Sequence, residues 1–142
     1  MKILVDTDVL LDVALDRKAF VDESSAVLEW CQQTSGGALI AWHTISNIYY
    51  ILRIARSDAK GREFVADLLT FTGVASGDTE SVRHALTMRM RDFEDAMQVA
   101  AALSGNVDVI VTRNVMDYRQ AVIPAISPKE FRMRFAVPNE RD

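Results

Sequence analysis

The sequence predicts an α/β protein: a three-layer α/β/α sandwich around a central, mainly parallel sheet of four or five strands. Three observations carry this. Short apolar stretches at Ile3–Val5, Ala38–Trp42 and Val107–Val111 read as strands, and Ile3–Val5 is continuous rather than alternating, as in a strand covered on both faces. Between them lie stretches with apolar residues at helical spacing, long enough to serve as crossovers. Finally, Ile3–Val5 halts at Asp6-Thr7-Asp8, so a polar group follows a buried strand. Ligands in open α/β sheets bind beyond such carboxyl ends.

In chain order, Val9, Leu10 and Val13 place a short helix over about 8–15. A second helix spans about 22–34, with Ala26, Val27, Trp30 and Cys31 inward, Phe20 and Val21 at its start, and Ser35-Gly36-Gly37 ending it. Ala38–Trp42 forms the second strand. The next helix carries Ile45, Ile48, Ile51 and Leu52 to about Arg56, with Thr44 or Ser46 as candidate caps. Ser57 or Asp58 caps a helix that stops near Gly73, and 73–76 is a weak strand. Gly77-Asp78 leads into a helix running on towards Met90. Asp92-Phe93-Glu94-Asp95 opens an alanine-rich helix closed by Gly105-Asn106. After the 107–111 strand, 122–126 is a last strand. Pro124 assigns it to an edge, because proline donates no ladder hydrogen bond. Ser127-Pro128-Lys129-Glu130 reads as a capped helix start. A single domain over 1–137 is expected, followed by a polar tail at 138–142.

Composition narrows the function. The chain has 142 residues, 49% hydrophobic and 25% charged, with a net charge of -4. That is not the basic surface of a general nucleic-acid binder, although a local basic patch is compatible with it. One cysteine, Cys31, excludes an internal disulfide and fits a reducing compartment. No apolar run approaches the roughly 18 residues of a membrane span, and the first residues resemble neither a signal peptide nor an anchor. A cytoplasmic protein without membrane association is expected. His43 and His84 form no metal motif with Cys31, and no glycine-rich phosphate loop or nucleophile elbow is present.

The acidic residues fall in a pattern. Asp6 follows the first strand, Asn47 lies one turn into the helix after the second, Asp92 and Asp95 open the alanine-rich helix, and Asn114 and Asp117 follow the 107–111 strand. Each has an ordinary reading. Asp6 or Asp8 can cap a helix, Asp92 can cap with Asp95 in the favourable first turn, and Asn114 or Asp117 can close a turn. Thr112 can orient a carboxylate or bind local backbone. Gathered at one edge, such acids repel one another. A divalent cation with a preference for oxygen ligands relieves that repulsion.

Three motifs in this order and spacing resemble the PIN-domain family over nearly the whole chain: Val5-Asp6-Thr7-Asp8-Val9, Asp92-Phe93-Glu94-Asp95-Ala96, and Val111-Thr112-Arg113-Asn114 through Asp117-Tyr118. The run Asn47-Ile48-Tyr49-Tyr50-Ile51-Leu52 is similar to the VapC-like branch, toxin components of bacterial toxin–antitoxin systems. The resemblance implies an Mg²⁺- or Mn²⁺-dependent ribonuclease that hydrolyses single-stranded RNA. It also implies a small antitoxin partner and a homodimer. It assigns Asp6, Asp95 and Asp117 as metal-holding and catalytic residues, supported by Asn47, Asp92, Thr112 and Asn114; Arg53 and Arg113 are candidates for contacts to the RNA backbone, with solvated helix surface as their ordinary reading. Asn47 stands where many members carry glutamate. That substitution motivates an alternative, a catalytically weak or inactive module that binds RNA or a partner. A receiver-like phosphatase lacks a phospho-acceptor aspartate after the third strand and is set aside.

Overall fold

The computed structural model describes residues 1–135. The expected domain end at 137 and the tail at 138–142 lie outside the described residues. Five strands alternate with helices: β1 (Ile3–Val5), α1 (Thr7–Ala14), α2 (Val21–Gln33), β2 (Ala38–Ala41), α3 (Trp42–Ala55), α4 (Asp58–Leu68), β3 (Gly73–Ala75), α5 (Thr79–Thr87), α6 (Phe93–Ser104), β4 (Val109–Val111), β5 (Ala125–Ile126) and α7 (Pro128–Phe135). A 3₁₀ turn at Val115–Tyr118 precedes β5.

All pairings are parallel, in the order β3-β2-β1-β4-β5. β5 is an edge strand, as Pro124 required. β1 is central, and its residues divide the core as a strand's two-residue period demands. Ile3 and Val5 face Leu10, Val27, Ile48 and Phe131 in one layer, while Leu4 faces Val99, Ala102 and Ile110 in the other. Burying a side chain such as Leu10 stabilises the fold by about 1.5–3 kcal/mol. Alanines at 100–102 bring α6 close to the sheet. Gly105 ends the helix where a Cβ would stand 2.4 Å from Leu39 Cδ1, so no larger residue fits without movement.

The chain leaves β1 towards β2 on one side and reaches β4 on the other. This reversal makes the carboxyl ends of β1 and β4 the switch point where α/β sheets bind ligands. Asp6 and Thr112 are the first residues beyond those ends.

Several local expectations change. Trp42 is not a strand residue: it begins α3 and is 54% exposed. Neither Thr44 nor Ser46 caps α3, which has no side-chain cap. Thr44 is buried instead, with its hydroxyl 3.0 Å from that of Thr7 and accepting from Gln98 Nε2 at 2.8 Å. Ser57 caps α4 through Lys60 N. α5 ends at Thr87, short of Met90. Regular β pairing begins at Val109 rather than Val107, because Val107 N still donates to Ala102 O at the end of α6.

A candidate acidic cleft at the switch point

A cleft of about 520 Å³ opens at the carboxyl ends of β1 and β4. Six carboxylates line it: Asp6, Asp8, Asp92, Glu94, Asp95 and Asp117, together with Asn47 and Asn114. Arg17 is the single cation among the lining residues, and it is already paired with Asp12 at 3.3 Å.

Asp6 sits deepest, 7% exposed, in extended backbone that turns the chain into α1. Its Oδ1 accepts from Thr7 N at 2.7 Å, capping the helix. Its Oδ2 accepts from the Thr112 hydroxyl at 2.9 Å and the Tyr118 hydroxyl at 3.0 Å. Capping and site-building are thus two jobs of one side chain. Burial pushes the Asp6 carboxyl above the usual aspartate range, and the hydroxyl and backbone donors only partly offset this.

Asp95, in the first turn of α6, accepts from the same Tyr118 hydroxyl at 3.2 Å. Its carboxyl is pushed up to about 6, first by burial and then by the charges of Asp6 and Asp92, with Asp117 adding to them. One tyrosine proton therefore serves two carboxylates. Asp92 caps α6, accepting from Glu94 N at 2.8 Å and Asp95 N at 3.4 Å. Asp117 stands exposed on the 3₁₀ turn and closes the far wall. Thr112 holds the turn after β4 by donating to Asp6 while accepting from Asn114 N at 3.1 Å.

Sequence reasoning missed three residues here. Asp8, read only as a cap, reaches across to the β4 turn. Its Oδ2 accepts from Arg113 N at 3.1 Å and Asn114 Nδ2 at 3.2 Å, while its Oδ1 is buried without a partner. Burial and the Asp6 charge push its carboxyl up to about 6. Glu94 was passed over for its neighbour Asp95. It accepts from Asn47 Nδ2 at 2.9 Å, so a carboxylate stands against the asparagine, and burial raises its acidity value as well. Tyr118 stood in the third motif with no role given to it. The available signals were the two-residue step from Asp6 to Asp8 and the unbroken acidic run 94–95.

The two arginines expected on the RNA backbone do not line the cleft, although Arg113 N donates to Asp8 within it. Arg113 Nε donates to the fully buried Asp12 at 2.7 Å, and its guanidinium lies 3.9 Å over the Phe20 ring. Its Nε and its guanidinium face fasten the β4 turn to α1 and to the start of α2. Arg53 is exposed on α3 and is not among the residues lining the cleft.

Among the described residues, no three or more of His, Cys, Asp and Glu converge closely enough to hold a metal ion. The carboxylates that lie nearest one another point their oxygens at hydroxyl and amide donors. The donor chemistry nevertheless fits a hard divalent cation: the donors are all oxygen, negative charge is in excess, and one buried carboxylate oxygen lacks a partner.

The fold and cleft define a PIN-domain protein. The PIN domain family model matches residues 2–116, and the chain belongs to that family. Among solved structures it is similar to a chain of VapBC2 from Rickettsia felis bound to a promoter DNA fragment, at 12% identity and a TM-score of 0.71, covering 89% of this chain and 98% of that one. It is also similar to a chain of DNA-bound VapBC from Salmonella typhimurium, at 15% identity and a TM-score of 0.69, covering 90% and 98%. A toxin–antitoxin complex from Klebsiella pneumoniae matches at 17% identity and a TM-score of 0.67, covering 89% and 98%. At these identities the likeness is one of fold. No curated protein matches by sequence. Among the described residues, no helix is long and apolar enough to cross a membrane.

Proposed function

We propose that the chain is a divalent-metal-dependent endoribonuclease acting on single-stranded RNA, and the toxin of a toxin–antitoxin pair. The observation that carries this is the set of six carboxylates at the β1/β4 switch point, four of which burial holds above their usual pKa range, with neighbouring acids adding to it at Asp8, Glu94 and Asp95. Family membership gives the set its chemistry.

In this reading Asp6, Asp95 and Asp117 hold Mg²⁺ or Mn²⁺. When bound, such an ion activates a water and offsets charge on the phosphodiester oxygens. The chain's own residues do the positioning. Thr112 and Tyr118 orient Asp6, and Tyr118 fixes Asp95 against it. Asp8 supplies a further carboxylate, held by Arg113 N and Asn114. Asp92 acts through its cap, which sets the first turn of α6. Asn47 presents Glu94, whose carboxylate supplies the charge that asparagine lacks. Arg53 remains the candidate for the RNA backbone, while Arg113 supports the turn. Assembly as a cytoplasmic homodimer with a small antitoxin belongs to the same reading. Tyr50 and Ile54, 55% and 86% exposed on α3, offer apolar surface for partners.

The test is cleavage of single-stranded RNA in Mg²⁺ or Mn²⁺ by the wild type, Asp6→Asn and Asp95→Asn. Removing a residue that holds the metal should cost more than the 10–100-fold typical of outer-shell partners, so a loss of at least about 100-fold is expected. Activity untouched by both substitutions would sink the site. The second reading, a non-catalytic module, rests on Asn47, and wins if the wild type binds RNA tightly yet cuts in no metal.

A further inference from the structure

A second cavity of about 290 Å³ opens at the same sheet edge. Its walls come from the start of α3 (Trp42, His43), the turn into α5 (Gly77, Asp78) and one side of α6 (Met97, Ala101). Strand register locates it. Leu4 lies beside Leu39, and Ala41 beside Ala75. Extending the first pair by two residues sets Asp6 level with Ala41. Trp42 and His43 therefore begin one strand from Asp6 and Gly77 about two, roughly 5 and 10 Å sideways. His43 joins the two sites, since it lines this cavity from the first turn after β2, the strand beside β1.

The cavity has the make-up of a small-ligand site, with mostly apolar walls and a few polar groups. Trp42 is 54% exposed, but it is not loose on the surface. A Cβ at Gly77 would meet its Cδ1 at 3.5 Å and its Nε1 at 3.6 Å, so the glycine backbone supports one edge of the indole. Asp78 caps α5 through Oδ1 alone, accepting from Ser81 N and Oγ. Its carboxylate also lines the cavity, where it can accept a hydrogen bond from a base edge.

We propose that this cavity holds a nucleobase of the RNA strand whose phosphodiester lies in the acidic cleft, with Trp42 as its stacking surface. The proposal rests on the ribonuclease reading. A strand crossing the cleft must put neighbouring bases somewhere, and unstacked bases seek aromatic faces. A volume of about 290 Å³ is that of a small-ligand pocket.

Binding of a short labelled single-stranded oligoribonucleotide to the full chain in EDTA, with affinity read from the anisotropy of the label and stacking from tryptophan emission, tests this without metal or turnover. RNA should quench the wild-type emission. Trp30 packs edge-on against Phe131 at 5.3 Å and should contribute an unchanged background. Trp42→Ala should remove the quenching and weaken binding about 10-fold, within the range for losing one stacked base. Trp42→Phe should retain most of the affinity. An abasic strand of equal length should bind the wild type as weakly as RNA binds Trp42→Ala. Wild-type affinity in Trp42→Ala would overturn the proposal. So would a change confined to oligomeric state by sedimentation, which would make the occupant a second copy. If either occurs while Asp6→Asn still abolishes cleavage, the ribonuclease reading stands and only the pocket fails. A wild type that neither binds nor cuts RNA overturns both.

Discussion

Asp12 and Asp6 are both buried aspartates on or beside α1, 0% and 7% exposed, yet their surroundings are opposite. Asp12 is satisfied from within. Arg113 donates at 2.7 Å, Ser24 at 3.0 Å and Arg17 at 3.3 Å, and two of these three donors are cations. Asp6 has three donors, none charged, and its near neighbours include Asp8 and Asp95. A carboxylate neutralised by its own chain ties segments together: Asp12 joins α1, α2 and the β4 turn. A carboxylate surrounded by acids calls for positive charge from outside. Burial alone does not mark a site; the sign of what surrounds the buried group does.

The largest effect that would break this comparison concerns Asp12. Asp12→Ala leaves Arg113 and Arg17 without their carboxylate. Removing one partner of a buried pair costs about 3–5 kcal/mol. The lower end is expected here, because the Arg113 and Arg17 side chains keep 24% and 38% exposure. Asp6→Asn should cost far less in metal-free protein, since it removes a charge that the interior disfavours. Urea unfolding in EDTA measures both. Equal losses would mean that Asp6 is as structural as Asp12.

The pH dependence is the next effect. In metal-free protein Asp8 and Asp95 hold their protons up to about pH 6, above the ordinary aspartate value of 3.8. The folded state therefore binds these protons more tightly than the unfolded one. Their stabilising contribution is present below about pH 4 and is lost as pH rises through 6. For Asp8, the more buried of the two, the loss is at most about 3 kcal/mol. Asp8→Asn should gain stability relative to the wild type between pH 4 and pH 7, as read from urea midpoints. Added Mg²⁺ should recover the wild-type loss at pH 7. A pH-independent difference between the two proteins would remove the electrostatic account of the cleft.

What the sequence made legible is what short-range pattern encodes. The strand and helix order, the edge place of β5 and the position of Asp6 beyond β1 follow from apolar runs, Pro124 and an abrupt polar stop. The gathering of Asp6, Asp95 and Asp117 follows from the parallel crossovers and the family motif. Contacts that join distant residues were hidden. Arg113 meets Asp12 across 101 positions, so an arginine that reads as a free surface cation is also a fastener. Asp8 meets Arg113 N across 105, so a cap proves to be a cleft wall. Trp42 was misplaced for a local reason: an apolar run does not show where a strand stops and a helix starts, and β2 yields to α3 one residue early.

The finest difference between the two aspartates lies in Tyr118. Asp12 has the Ser24 hydroxyl to itself beside two arginines, whereas Asp6 and Asp95 share one hydroxyl, from a side chain only 2% exposed. Tyr118→Phe keeps the ring in place and removes that donor. Losing a donor shared by two carboxylates should cost about 1.5–3 kcal/mol in urea unfolding. The more telling readout is the pH profile of cleavage. The hydroxyl lowers the acidity values of both carboxyls, so its removal should raise them further and move the acid limb of the profile to higher pH. A phenylalanine variant that loses stability without moving that limb would make Tyr118 a packing residue, and the site would then be poised by burial and neighbouring charge alone.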